Sequence, residues 1–431
     1  MKDAGKIGWL ALAAATYSMV AGGPFGLEEV VGKNGYAGAL LILCLTPLLW
    51  ALPTTLMVSE LASALPETGG FYVWANRALG PFWGFQESWL SFVGSIFDMA
   101  IYPILFSTYL AHLVPLLGVG RRPFIIGVAM IAACVVMNLL GTSFVGQGSI
   151  VFVLALLAPF GFLVWHGFLS SPAGATPANL TKPDLIGGIL IAMWNYMGWD
   201  NASTIAGDVR DATRTYSRAL TVALVIVVVT YIVPILAVQH QGVSSSAWDT
   251  GFWVTVAGRF GGQKLAVFMT AAGVVAALST FNALVLTLSR LPYAMARDGF
   301  LPQVFVKENG RGAPWVAILI CGAFWALAMV LGFDATVMLD VLMTGLSILL
   351  EFASLIALRI REPNLARPFR VKGGYAGAVL LAIPPAILIA LSCARNHAER
   401  VGPLNAFTLG LVLILLGVAL YFFGPRSRTE S

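Results

Sequence analysis

The sequence predicts an all-α membrane protein with 12 transmembrane helices, and three observations carry that expectation. Only 10% of the 431 residues are charged while 58% are hydrophobic, against roughly 25% charged in a soluble domain; the chain lacks the surface charge to stay dissolved. Its apolar runs reach the ~20 residues that a crossing helix needs and exceed the ~10 of a membrane strand. Its basic residues gather on one side of the resulting map, as the flanks of membrane spans do. The same figures exclude a soluble enzyme, a disordered chain and a nucleic-acid binder. The net charge of +5 belongs to those flanks rather than to an acidic partner.

The predicted spans fall at about 7–33, 36–61, 82–112, 123–141, 146–168 and 184–207, then at 217–239, 263–295, 314–332, 334–358, 374–393 and 403–423. The first starts like a secretory signal, with Lys2 and Lys6 ahead of an apolar stretch and small residues near Gly22. The apolar run resumes through Val31, so it is expected as an uncleaved span. Residues 62–80, with Pro66, Gly69-Gly70 and several aromatics, suit an inner re-entrant or interfacial helix. Residues 240–262, where Ser244 to Ser246 precede Trp248, Phe252, Trp253 and Phe260, suit an outer amphipathic lid. Placing both termini in the cytoplasm puts 17 lysines and arginines inside and 8 outside, with Arg121-Arg122 the main exception. The four histidines, His112, His166, His240 and His397, then lie near the outer face as interfacial side chains. Cys44, Cys134, Cys321 and Cys393 sit in apolar runs without a CxxC pair and read as packing residues.

Two spans are interrupted. Gly22-Gly23-Pro24-Phe25-Gly26 breaks the first, since proline has no N–H to donate and glycine favours non-helical backbone. Asn195-Tyr196-Met197-Gly198-Trp199-Asp200-Asn201 breaks the sixth less sharply. In lipid a break is tolerated only where the freed polar groups face protein, water or a ligand. Spans five apart enter from opposite sides, the pattern of a five-plus-five inverted repeat with its site between the discontinuous helices. The expected organisation is one membrane domain over 1–431: a first repeat at 7–169, a second at 184–360 and two peripheral helices at 374–423.

Charged side chains at membrane depth cost ~3 kcal/mol or more near the centre, so each needs a reason. Asp98 lies mid-span, and Ser91, Ser95, Asp98 and Tyr102 share one helical face; either a substrate ammonium or proton, or a bond to another helix, accounts for it. Glu28 and Glu29 follow the first break, where an acid holds a cation or caps exposed amides; for Glu29 capping is the simpler reading. Asp200 caps the second half of span six or lines the site. Thr344, Ser347, Glu351 and Ser354 form another polar stripe, and Glu351 fits a gate, a proton relay or a structural pair. Phe25, Tyr102, Trp194, Tyr196 and Trp199 can wall an amine through cation–π contacts. The site so read comprises Gly22, Gly23, Phe25, Glu28, Asp98, Tyr102, Trp194, Asn195, Trp199 and Asp200, with Asp98 and Glu351 as proton carriers. Asn179-Leu180-Thr181 and Asn201-Ala202-Ser203 match a glycosylation pattern only weakly.

Pro66-Glu67-Thr68-Gly69-Gly70-Phe71-Tyr72, Gly80-Pro81-Phe82-Trp83-Gly84-Phe85, and Ser289-Arg290 through Ala296-Arg297-Asp298-Gly299-Phe300-Leu301-Pro302 resemble signatures of the amino acid–polyamine–organocation permeases. Gly22 to Glu28, Asp98 to Pro103 and residues 349–363 are similar to the polyamine-uptake branch. The resemblance, from about residue 8 to 390, implies the leucine-transporter fold, with ten core and two peripheral helices, and alternating access. It also implies proton coupling. Ala212 and Ser217 stand where relatives place prolines, span eight with Ser279, Thr280 and Asn282 is more like general amino-acid permeases, and the span from Phe144 to Trp165 lacks a lysine that serves some relatives.

The expected function is a secondary transporter importing an amino acid or polyamine, with Glu28, Asp98 and the missing amide of Pro24 tipping the balance towards a cation. An amino acid exchanger or neutral amino acid permease is the alternative. A sensor or scaffold without a transport cycle would need an output domain, and eight residues follow Phe423. Phosphate-loop and HExxH motifs are absent, so the chain is expected to be no enzyme and to need no cofactor or metal. Its expected partners are the amine substrate, a coupling proton and the lipid of the cell membrane.

Overall fold

The computed structural model describes residues 8–67, 70–140, 148–170, 183–203, 209, 212–398 and 400–424, and nearly all of them are helical. In order the helices are α1 (Trp9–Val20), α2 (Glu28–Thr46), α3 (Leu52–Ala64), α4 (Gly70–Leu79), α5 (Pro81–Leu113), α6 (Arg122–Leu139) and α7 (Gly148–Leu169). They continue as α8 (Leu185–Asn195), α9 (Ala212–His240), α10 (Phe252–Arg297), α11 (Trp315–Ala328), α12 (Phe333–Arg361), α13 (Gly374–Ala398) and α14 (Ala406–Phe423). Among the described residues, eight continuous helical stretches are long and apolar enough to cross a membrane; Trp9–Val20, Val153–Leu169 and Trp315–Leu331 are shorter apolar helices.

Local chemistry explains several ends. Pro81 occupies the first turn of α5, where a missing N–H costs nothing. Asp184 and Asn405 start α8 and α14 by accepting the amides of Gly187 at 3.0 Å and Thr408 at 2.6 Å. The predicted gap between the first two spans is a bend instead. Residues Glu28–Ala64 form one 37-residue stretch, turned at Gly35 (φ 66°) and carrying a π-helical segment at Pro47–Ala51. Of the segment expected as interfacial, 62–64 end α3 and 70–79 form the separate helix α4, with Phe71, Trp74, Ala75 and Ala78 turned inward. The segment expected as an outer lid has a 3₁₀ turn at Ser245–Ala247 and a helix from Phe252 that bends into the main part of α10 at Gly262 (φ 65°). A two-stranded hairpin, β1 (Arg400–Val401) and β2 (Leu404–Asn405), joins α13 to α14, with Arg400 opposite Asn405; four residues are too few for a periodicity to announce.

α5 is the central helix, packed along α10 and α12 and against α4 and α6. Trp50, Trp74, Trp199, Trp253 and Trp325 are fully buried, while Leu41, Leu48, Leu154, Leu327, Leu380 and Leu415 remain exposed. Large apolar side chains pointing outward from long helices suit a hydrocarbon solvent, where burial brings no hydrophobic gain.

Candidate functional site

Helix α1 stops at Val20 and α2 starts at Glu28, so the predicted first break is present as seven non-helical residues. Helix α8 stops at Asn195, and after Gly198 a short 3₁₀ turn spans 200–203. The two breaks press on each other's helices. Gly26 (φ 89°) faces the Trp194 ring, which a Cβ would meet at 2.9 Å, and a Cβ on Gly198 (φ 91°) would lie 2.9 Å from the Met19 carbonyl oxygen. Only glycine combines that left-handed backbone with so close an approach.

A cavity with about 80 Å³ of free volume, room for several waters, opens at these breaks. Gly22 and Phe25 line it from the first break; Trp194, Asn195, Gly198 and Asp200 line it from the second. Helix α5 contributes Ser91, Ser95, Asp98, Tyr102 and Tyr109, α10 contributes Gly273 and Thr280, and α12 contributes Asp340 and Thr344. The described lining therefore holds three carboxylates and no lysine, arginine or histidine. Asp98 accepts from Trp194 Nε1 at 3.0 Å and from Tyr102 at 3.4 Å, and Asp340 accepts from Thr344 at 2.7 Å. Gly94, one turn before Asp98, admits α12 here, since a Cβ on it would meet Thr344 Oγ1 at 2.3 Å. Asp200 takes its own amide and that of Asn201, and its Oδ1 has no partner among the described residues.

Beyond Trp194 lies a second cavity of about 390 Å³ between α2, α8, α12 and β1. Phe333 lines it and packs edge-on against Trp194 with ring centroids 5.8 Å apart, so this pair stands between the two spaces. Ion pairs rim it: Lys33 holds Glu29 at 2.7 Å and Asp334 at 2.9 Å, and Arg395 holds Asp184 at 3.2 Å.

Glu28 lies outside the lining. Its carboxylate accepts from the Gly26 amide at 2.7 Å, the Gly251 amide at 3.1 Å and the Tyr109 hydroxyl. Trp253 Nε1 donates to the Pro24 carbonyl at 2.9 Å and Thr250 to Glu29 at 2.7 Å, so the 250–253 segment is tied across the first break. At the other end, Glu87 Oε1 lies within hydrogen-bond distance of Ser91 Oγ at 2.9 Å and Ser347 Oγ at 2.7 Å. Glu351 is fully buried, and neither of its oxygens has a partner among the described residues. Further along, Glu60 on α3 binds Arg359 Nη2 at 2.5 Å, Arg367 Nε at 3.4 Å and the Val371 amide at 2.7 Å, joining α3 to the end of α12.

Seven of the predicted residues thus meet at one cavity: Gly22, Phe25, Asp98, Tyr102, Trp194, Asn195 and Asp200. Gly23, Glu28, Trp199 and Glu351 are not among its lining; a Cβ on Gly23 would touch Phe25 and Leu156, and Trp199 is buried with its indole N–H on the Tyr196 carbonyl at 2.8 Å. Sequence reading missed Asp340, Tyr109 and Glu87. Each continues a stripe it had marked: Glu87 and Tyr109 lie four residues before Ser91 and seven after Tyr102, and Asp340 lies four before Thr344. Asn179 falls outside the described residues.

Residues 7–430 match the amino acid permease family. The chain is 32% identical to a polyamine transporter of Arabidopsis thaliana over 416 residues, covering 95% of this chain and 84% of that protein. It is 34% identical to a polyamine transporter of Oryza sativa subsp. japonica over 404 residues, covering 91% and 75%. A serine/threonine exchanger of Bacillus subtilis is 24% identical over 391 residues, covering 87% and 86%. With its interrupted helices, its apolar multi-pass architecture and a family match over nearly its whole length, the chain belongs to the amino acid permease family of secondary transporters and is not an enzyme.

Proposed function

We propose that this permease imports a polyamine, or an amine of similar charge, across the cell membrane by alternating access. The observation that carries the reading is the convergence of Asp98, Asp200 and Asp340 on a cavity whose described lining offers no base. Buried carboxylates need a counter-charge or a proton, and a polycation supplies the former at several points. Asp98 with Asp340 on the α5–α12 seam and Asp200 in the second break serve as separate ammonium anchors, while Phe25, Tyr102 and Trp194 supply ring faces. Gly22 and Asn195 add polar backbone and amide groups beside them.

An amino acid substrate would bring its own carboxylate, and the N-terminus of a half-helix is where such a group is bound. In this chain Glu28 already occupies the amide of Gly26 at the start of α2, and Pro24 has none to give. The protein thus fills its anion site from its own sequence, which disfavours zwitterions. The plant relatives named above point to the same substrate class.

The same reading takes the chain as one domain of 12 spans: inverted repeats at 7–169 and 184–360, the pair at 374–423 outside them, and both termini in the cytoplasm. It also takes inward proton flow as the driving force, with Asp98 and Glu351 among the buried acids able to carry the proton. The test is uptake of labelled putrescine, spermidine and a panel of amino acids into proteoliposomes at several pH gradients. Saturable uptake of the polyamines, competed by other polycations and not by neutral amino acids, is expected. Uptake of neutral amino acids with indifference to every polyamine would overturn the substrate class.

A further inference from the structure

Glu87 lies near the start of α5, fully buried and outside the set of groups assigned above to the substrate. Its Oε1, Ser91 Oγ and Ser347 Oγ form a triangle with edges of 2.9 Å, 2.7 Å and 2.8 Å, each a hydrogen-bond distance. Three edges need three hydrogens. The two serine hydroxyls supply two, and an ionised carboxylate supplies none. With a proton on Oε1 the ring closes: Glu87 donates to one serine, that serine to the other, and the second back to Glu87. Without it, one edge sets two lone-pair oxygens against each other in a buried site, which is costly.

The surroundings hold only acids. The titratable groups that bear on Glu87 are Asp200 in the second break, Glu351 on α12 and, from α4, Tyr72, whose hydroxyl goes to Asp298. No ion pair among the described residues joins it to a base on α4, α10, α12 or α14; Arg359, two turns beyond Glu351, is committed to Glu60. Glu87 Oε2 and both oxygens of Glu351 have no partner among the described residues. Ser91 meanwhile lines the cavity, so one hydroxyl separates Glu87 from that space.

We infer that Glu87, held by Ser91 and Ser347, is a proton-binding site separate from the substrate carboxylates, and that Glu351 extends it along α12. The inference deepens the proton-coupled reading above and rests on it. Loading is a relay that conserves protons: a hydronium ion entering the cavity passes a proton to Ser91 Oγ as Ser91 passes its own to the Glu87 carboxylate, leaving a neutral water, an intact hydroxyl and one proton gained at the carboxyl. Release towards Glu351 and the α4 side reverses the account.

The test begins with the carboxyl stretch in the infrared spectrum of the reconstituted protein near neutral pH. A protonated-carboxyl band lost in Glu87→Gln supports the inference; a spectrum identical to wild type in that region overturns it, whatever the protein transports. The same vesicles then report spermidine exchange at equal pH and accumulation under an acid-outside gradient. Glu87→Gln is expected to keep exchange near the wild-type rate and to lose gradient-driven accumulation by about tenfold or more. Wild-type accumulation in that variant overturns the inference alone. Should Glu87→Gln lose exchange too, Ser347→Ala decides, because it opens the ring on Glu87, lies outside the cavity lining and keeps both carboxyls. A reduced gradient response with exchange intact supports the site, and an unchanged response overturns it. A wild-type protein that exchanges spermidine without sensing the gradient overturns proton coupling and this site together, and one that moves no polyamine overturns the substrate reading.

Discussion

Glu28 beside the first break and Glu87 and Glu351 along the α5–α12 seam are equally buried but opposite in chemistry. Glu28 has three donors, two of them backbone amides, and ties α2 to α5 and to the 250–253 segment. Glu351 has none among the described residues, and Glu87 has one bare oxygen. A charge surrounded by donors is a structural part, because its removal strands every donor at once. An acid without partners contributes nothing to folding that an apolar residue would not, so its presence asks for another explanation. Burial alone, which is what hydropathy detects, does not separate the two.

The largest effect is expected where acids face the cavity. Asp98→Asn should lower the initial rate of polyamine uptake by about 100-fold, the loss expected when a buried charged partner is removed, with a monodisperse elution profile retained. Near-normal uptake would take Asp98 out of the site. The contrast between the two regions is sharpened next by stability in detergent. Glu28→Ala should cost roughly 3 kcal/mol, whereas Glu351→Met should be within about 1 kcal/mol of wild type or more stable; equal losses would break the comparison. Tyr109→Phe, which takes a single donor from Glu28, should cost roughly 1.5 kcal/mol in the same melt.

The smallest effect concerns the surface pair Arg77–Glu362, at 2.7 Å and about one-third exposed on each side. The hydrogen bond from Arg77 holds the Glu362 carboxyl below its ordinary range. A depressed acid adds stability above its unfolded value, near 4.3, and that contribution disappears as pH falls through the folded value. Solvent screening keeps the pair below about 1 kcal/mol. Arg77→Ala should therefore differ slightly from wild type at neutral pH, and the difference should shrink as pH falls below about 4, as thermal melts across that range would register.

Much of this was legible in the residues. Gly22 to Gly26 and Asn195 to Asn201 announced their breaks because proline and glycine change what the backbone can do whatever surrounds them. Asp98 stood out as a charge in the middle of an apolar run. Asp340 did not, because the apolar Val341, Leu342 and Met343 separate it from Thr344 and the polar stripe that follows. Glu28 marks a deeper limit. The residue type allowed a ligand or a cap, and the choice depends on Tyr109 and Gly251, which lie 81 and 223 positions away in the chain.

The reciprocal contact of the two breaks has a mechanical consequence. Gly26 abuts the Trp194 ring and Gly198 abuts the Met19 carbonyl, with no room for a methyl group at either point. Two shafts meshed at two teeth turn together or not at all. Tilting α1 against α8 pushes the backbone after α8 ahead of it, so a spin label on either helix would report the movement of both. Alanine at one tooth should jam the pair in a single posture, a route to trapping one face of the cycle without a ligand.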